Sequence, residues 1–134
     1  MSGVDAGPAR EASVRLVGET FGADCMPHPT LDPSYGTATI EYIAGDAPAE
    51  FRIVAVRYIL AGEIISGVMT AGFSPAGSGL LVSGQDLTVE HDKTVGSGAN
   101  ACAYCETYTL EVDVDGPNGV QTLRSATKPY SCPE

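Results

Sequence analysis

A chain of 134 residues, 43% of them apolar, is long enough to bury one core and points to one domain. Seventeen acidic side chains against seven basic ones give a formal charge of −10. That field repels phosphate backbones and anionic lipid heads, which excludes nucleic acid and membrane surfaces as partner classes.

Sixteen glycines and nine prolines, with no tryptophan, describe many turns between short apolar runs. This is how an all-β domain built from medium-sized side chains reads. Residues 1–10 are small and polar without a pattern and read as a disordered leader, leaving 11–134 as the domain. Met1–Pro8 has neither the basic nor the apolar region of a signal peptide. Four cysteines in a small acidic chain nevertheless suggest an exported, oxidised protein. The expectation is a secreted, periplasmic or cell-surface location, with a signal already removed.

Ser13–Val17 opens the strands, with Val14 and Leu16 on either side of Arg15. Gly18 to Ser34 reads as irregular, since its prolines exclude helix and favour an extended surface segment that Cys25 can pin. Gly36–Ile43 alternates, with Ala38, Ile40 and Tyr42 on one face. Glu50–Leu60 is the most apolar run and reads as a strand buried on both faces. Regular alternation there places Arg52 and Arg57 on opposite faces.

Glu63–Thr70 is a weaker strand interrupted by Gly67, and Gly72–Gly79 is a loop. The uncharged run Ile64–Gln85 has membrane-spanning length, but its five glycines, four serines and Pro75 argue against a membrane helix. Leu80–Val82 and Leu87–His91 are two strands, or one strand bent at Ser83-Gly84. Gly96–Asn100 is a second loop. Leu110, Val112 and Val114 then alternate against Glu111, Asp113 and Asp115. The turn Asp115-Gly116-Pro117-Asn118-Gly119 returns the chain through Val120–Arg124, a β-hairpin. The sum is about seven to nine antiparallel strands without a helix, a β-sandwich loosely immunoglobulin- or fibronectin-like.

The four cysteines allow three pairings. The favoured one joins Cys102 to Cys105 and Cys25 to Cys132, because closing a loop near a hundred residues stabilises by roughly 4–5 kcal/mol in the chain-entropy model. The rival ties Cys25 and Cys132 to one each of Cys102 and Cys105. Redox catalysis wants the Cys-x-x-Cys at a helix N-terminus. A four-thiolate zinc site wants two close pairs. Neither context surrounds Cys102 and Cys105, and structural disulfides are the preferred reading.

Asp113, Asp115 and Asn118 resemble the opening of a calcium loop, but Pro117 shifts the register and no bidentate Glu follows. His28 sits between two prolines, and His91 continues the Leu87, Val89 face of a strand. Neither lies in a nucleophile-elbow context. Met26 and His28 lack the C-terminal Cys, His and Met cluster that a copper site needs. No cofactor motif is present.

The functional expectation is a non-catalytic extracellular binding, adhesion or accessory module with a protein or carbohydrate partner. It would act through loop residues Phe73, Ser74, Asn100 and Tyr104. A subunit of a surface assembly or filament is the alternative. A small β-type hydrolase or metal-binding protein is the second alternative.

Overall fold

The computed structural model describes residues 10–25, 32–61, 67–77 and 79–132. The leader up to residue 9, Met26, His28 and the start of the Glu63–Thr70 strand lie outside these residues. Arg10 lies inside, its N–H donating to Asp46 Oδ2 at 2.7 Å and its carbonyl accepting from the Asp46 N–H at 3.0 Å.

The described chain is all-β, with no helix. It has eleven strands rather than seven to nine: β1 Ser13–Ala23, β2 Ser34–Ile43, β3 Ala49–Leu60, β4 Val68–Ala71, β5 Phe73–Ser74, β6 Leu80–Val82, β7 Leu87–Lys93, β8 Ser97–Gly98, β9 Thr107–Gly116, β10 Gly119–Arg124 and β11 Lys128–Pro129. The excess comes from two-residue strands inside segments that read as loops. All strand pairs are antiparallel and form two sheets. The smaller runs β1-β2-β7-β5, and the larger runs β10-β9-β3-β4-β8, with β6 on β3 and β11 on β9.

Two expectations fail for the same reason. β1 does not stop at Val17; it runs to Ala23. The register against β2 slips between Leu16 and Gly18, leaving Val17 as an extra, exposed residue. One inserted residue reverses which parity faces inward. Val14 and Leu16 point in before the bulge, and Phe21 and Ala23 after it.

β3 repeats the device. Its register against β9 slips between Ile53 and Ala55, with Val54 extra. Phe51 is buried before the bulge, and Val56, Tyr58 and Leu60 after it. β3 is therefore buried on one face only. Arg52 and Arg57 share the other face, where Arg52 meets Asp115 at 3.2 Å and Arg57 meets Asp113 at 2.8 and 3.0 Å.

Where no bulge intervenes, alternation holds. Ala38, Ile40 and Tyr42 of β2 are fully buried, as are Leu110 and Val112 of β9, with Val114 nearly so. The β9–β10 hairpin closes through Pro117-Asn118 between paired Gly116 and Gly119. Gly119 sits at φ +98°, a left-handed position that side chains resist.

The inward faces of the two sheets meet in an aromatic layer. Phe21 stacks on Tyr58 at 4.7 Å between ring centroids and meets Tyr130 edge-on at 4.9 Å, while Tyr42 packs on Phe51 at 5.5 Å. Tyr58 is fully buried, and its hydroxyl has no hydrogen-bond partner among the described residues. An unpaired buried hydroxyl costs free energy. Tyr58→Phe is therefore expected to leave stability unchanged or raise it by about 1–2 kcal/mol. Tyr58→Ala should lower it by about 3–5 kcal/mol. Urea unfolding midpoints check both, and a Phe variant clearly less stable than the parent would contradict the assignment.

Candidate functional site

Of the residues that sequence reasoning singled out, the four cysteines, Asn100 and Tyr104 gather at one end of the fold. β1 ends at Ala23, whose N–H donates to the Ser131 carbonyl at 3.0 Å, and Gly22 bridges to Ser131 in parallel. β11 pairs with the start of β9. The C-terminal tail is thus laid between the end of the small sheet and the start of the large one. The irregular segment 99–106 lies beside it.

That segment is shaped by local polar contacts. Asn100 Oδ1 accepts from the Cys102 N–H at 2.9 Å, and its carbonyl accepts from the Ala103 N–H at 3.0 Å. An Asx turn of this kind holds a loop without regular structure. Tyr130 anchors the segment from below, its hydroxyl donating to the Ala101 carbonyl at 2.7 Å and also to that of Tyr104. Burial pushes the Tyr130 phenol up to about 12.

This placement overturns the favoured disulfide pairing. Cys25 is bonded to Cys102 and Cys105 to Cys132. The two cysteines of the Cys-x-x-Cys do not staple their own short loop. Each reaches one of the two tails, because the tails run side by side along that loop. No described cysteine is free. The sulfurs of Cys25, Cys105 and Cys132 lie within 4.8 Å of one another, but all three are in disulfides and offer no thiolate to a metal.

The other candidates separate. Asn100 is exposed and Tyr104 half-buried, both beside the bridges. Phe73 is not a surface residue: it is 7% exposed, in β5, with its ring stacked on His91 at 5.1 Å. Ser74 next to it is exposed. Asp113 gives both carboxylate oxygens to Arg57 and also accepts from Thr122 at 2.7 Å. Those hydrogen bonds, Arg57 first, hold its carboxyl below the usual range. Asp115 faces Arg52, and Asn118 donates to Glu11 at 3.0 Å. The acids of β9 are therefore spent on arginines across the sheet rather than turned toward one point.

His91 is fully buried. Nδ1 faces the Pro75 carbonyl at 2.6 Å, which can only accept, so Nδ1 carries the proton and Nε2 accepts from the Tyr42 hydroxyl at 3.1 Å. Both ring nitrogens are used, and no serine or cysteine touches the ring among the described residues. Burial holds the imidazole below its ordinary value.

One buried polar feature escapes sequence reasoning. Lys93 Nζ lies 2.6 Å from Asp32 Oδ2, with side chains 1% and 5% exposed. Asp32 also accepts from the Ser34 N–H at 3.1 Å, from the Ser34 hydroxyl and from the Gly96 N–H. Burial raises its pKa, and the bonds from Lys93, Ser34 and Gly96 more than offset that. Asp32-Pro33-Ser34 is a recognisable Asx signal in the sequence; its cation, 61 residues away, is not. Asp32 borders an open hollow of about 160 Å³ lined by Met69 and Gly96 to Ala101. A larger apolar hollow of about 250 Å³ lies between Ile53–Val56 and Ala71–Gly77. Both are shallow, and neither gathers a nucleophile, a base and a carboxylate.

The fold and this end together define a class: a two-sheet, all-β domain closed at one end by two crossed disulfides. Compared with known proteins, the chain matches no family model and no curated sequence.

Two outcomes follow. An imidazole held below its unfolded value contributes stability that is full above about pH 6.5 and lost as pH falls through the folded value. Stability should therefore decline on acidification below about pH 6.5, and His91→Gln should flatten that part of the profile. Thermal melts across pH read this out. Lys93→Met should cost about 3–5 kcal/mol at neutral pH by stranding the Asp32 carboxylate. Because that carboxyl is held low, the loss should shrink below about pH 4 as Asp32 is protonated. An equal loss at pH 7 and pH 3 would refute the ion-pair account.

Proposed function

We propose that the chain is a non-catalytic, exported binding or accessory module, loosely immunoglobulin-like in architecture. Its working surface is the disulfide-pinned segment 99–106. The observation that carries this is the convergence of both bridges on one irregular segment. A loop without regular hydrogen bonding loses much conformational entropy when it binds. Anchoring it covalently at Cys102 and Cys105, and by Tyr130 from beneath, removes most of that loss beforehand. Asn100, Ala103 and Glu106 are left exposed along it, with Tyr104 half-exposed as the aromatic contact.

Three features support this over a hydrolase or metal protein. The described histidine is locked in the core by two hydrogen bonds. The acids of β9 are paired with arginines. The hollows are shallow. Two disulfides are typical of proteins outside the reducing cytosol, and no described helix is long and apolar enough to cross a membrane. A protein or carbohydrate ligand fits a partly aromatic loop on a chain of net charge −10 better than nucleic acid or a lipid surface does.

The test is a printed glycan array and a panel of purified extracellular-matrix proteins, probed with the parent and with an Asn100→Ala/Tyr104→Ala double variant. The expected result is saturable binding by the parent, at least tenfold weaker in the variant, with the β-sheet fold of the variant retained by circular dichroism. Turnover of ester, peptide or glycoside substrates by the parent would overturn the reading. So would binding that the loop variant leaves intact. Large particles by light scattering at low concentration would favour a surface assembly instead.

A further inference from the structure

The two bridges are neighbours as well as partners of one loop. The sulfurs of Cys25, Cys105 and Cys132 all lie within 4.8 Å of one another, so each bridge has a sulfur of the other beside it. Cys105 is exposed, whereas Cys25, Cys102 and Cys132 are half-buried. Solvent therefore reaches the pair chiefly through Cys105. The carbonyl of Ala101 lies 3.4 Å from Cys105 Sγ and 3.7 Å from Cys132 Sγ, and the Cys102 carbonyl lies 3.2 Å from Cys105 Sγ. Acceptors are thus already in place for both thiols that opening this bridge would create.

We infer that the four cysteines form a thiol–disulfide exchange site that accepts two electrons from a dithiol at Cys105 and passes the opening inward to Cys102. In the first step a thiolate of the dithiol attacks Cys105 Sγ. The bond to Cys132 breaks, and Cys132 leaves as a thiolate. The second thiol of the reductant attacks the mixed disulfide, leaves as the cyclic disulfide, and frees Cys105. One dithiol is oxidised and one protein disulfide is reduced.

In the second step the Cys132 thiolate attacks Cys25 Sγ, already within 4.8 Å. A Cys25–Cys132 bond forms, the Cys25–Cys102 bond breaks, and Cys102 leaves as a thiolate and takes up a proton. No electron enters or leaves in this step. The reacting atoms are preassembled, so exchange inside the fold competes well with a second reductant from solution. The product keeps both tails tied to each other and presents Cys102 and Cys105 as an adjacent dithiol. The site is then a redox-active Cys-x-x-Cys fed by a half-buried bridge.

Digestion makes the step visible. Cleavage after Lys and Arg, except before Pro, places Cys25 on peptide 16–52, Cys102 and Cys105 together on 94–124, and Cys132 on 125–134. Each bridge of the resting protein includes 94–124; only the exchanged bridge leaves it out. The parent protein is exposed to one equivalent of dithiothreitol, trapped with acid, alkylated and mapped by mass spectrometry. The expected result is that most molecules carrying one bridge join 16–52 to 125–134, with 94–124 alkylated at both cysteines. Single-bridge molecules in which 94–124 is always one of the linked peptides would overturn the proposal. No substitution is needed, so a folding defect cannot obscure the reading.

Discussion

A single unpaired residue in β3 decides how the large sheet is used. With Val54 looped out, the strand before and after it presents opposite parities to the core. Phe51 can then reach Tyr42 of the small sheet while Tyr58 reaches Phe21 further along. The same slip gathers Arg52 and Arg57 on the outer face, opposite the acids of β9. An unbroken strand would have sent one arginine into the aromatic layer, where an unpaired cation is very costly. Burial of the rings and pairing of the arginines are therefore two consequences of one geometric constraint. The bulge in β1 matches it from the facing sheet, bringing Phe21 and Ala23 inward at the end where the tails meet.

That end is where packing hands over to covalent bonds. The short β11 and the isolated Gly22–Ser131 bridge are weak attachments by themselves. Bonds from Cys25 and Cys132 into the 99–106 segment close separations of 77 and 27 residues. In the chain-entropy model each such closure, taken alone, is worth about 3–5 kcal/mol. Tyr130 links the two kinds of restraint: its ring belongs to the aromatic layer and its hydroxyl holds the loop carbonyls. The loop is rigid because the core beneath it is.

Local alternation made part of this legible. Ala38, Ile40 and Tyr42, and Leu110, Val112 and Val114, declared their buried faces because nothing interrupts the period of two. The β9–β10 turn was equally readable, since its glycines and asparagine meet a local backbone need. The bulges were not readable: Val17 and Val54 look like ordinary strand residues, and a period argument assumes that no residue is skipped. β1 therefore looks finished where its parity changes, and Arg52 and Arg57 read as lying on opposite faces when they share one. The disulfide pairing failed for a different reason. Loop entropy compares the cost of closing loops in an unfolded chain, whereas the pairing is set by which tail lies beside which loop sulfur. Phe73 was mistaken for a loop residue because its Gly and Pro neighbours advertise a turn, while its burial against His91 depends on a strand pairing far along the chain.

The binding and exchange readings meet on the same eight residues, and the geometry makes them compatible. A loop held by two bridges is rigid; after exchange it is held by neither, while the tails stay joined through Cys25 and Cys132. The aromatic layer and the two sheets keep their own packing and backbone pairing in either state. The outcome of reduction would then fall on the segment bearing Asn100 and Tyr104 rather than on the fold. The contacts of Tyr130 and Asn100 with the segment favour the braced form, in which each bridge includes one loop cysteine.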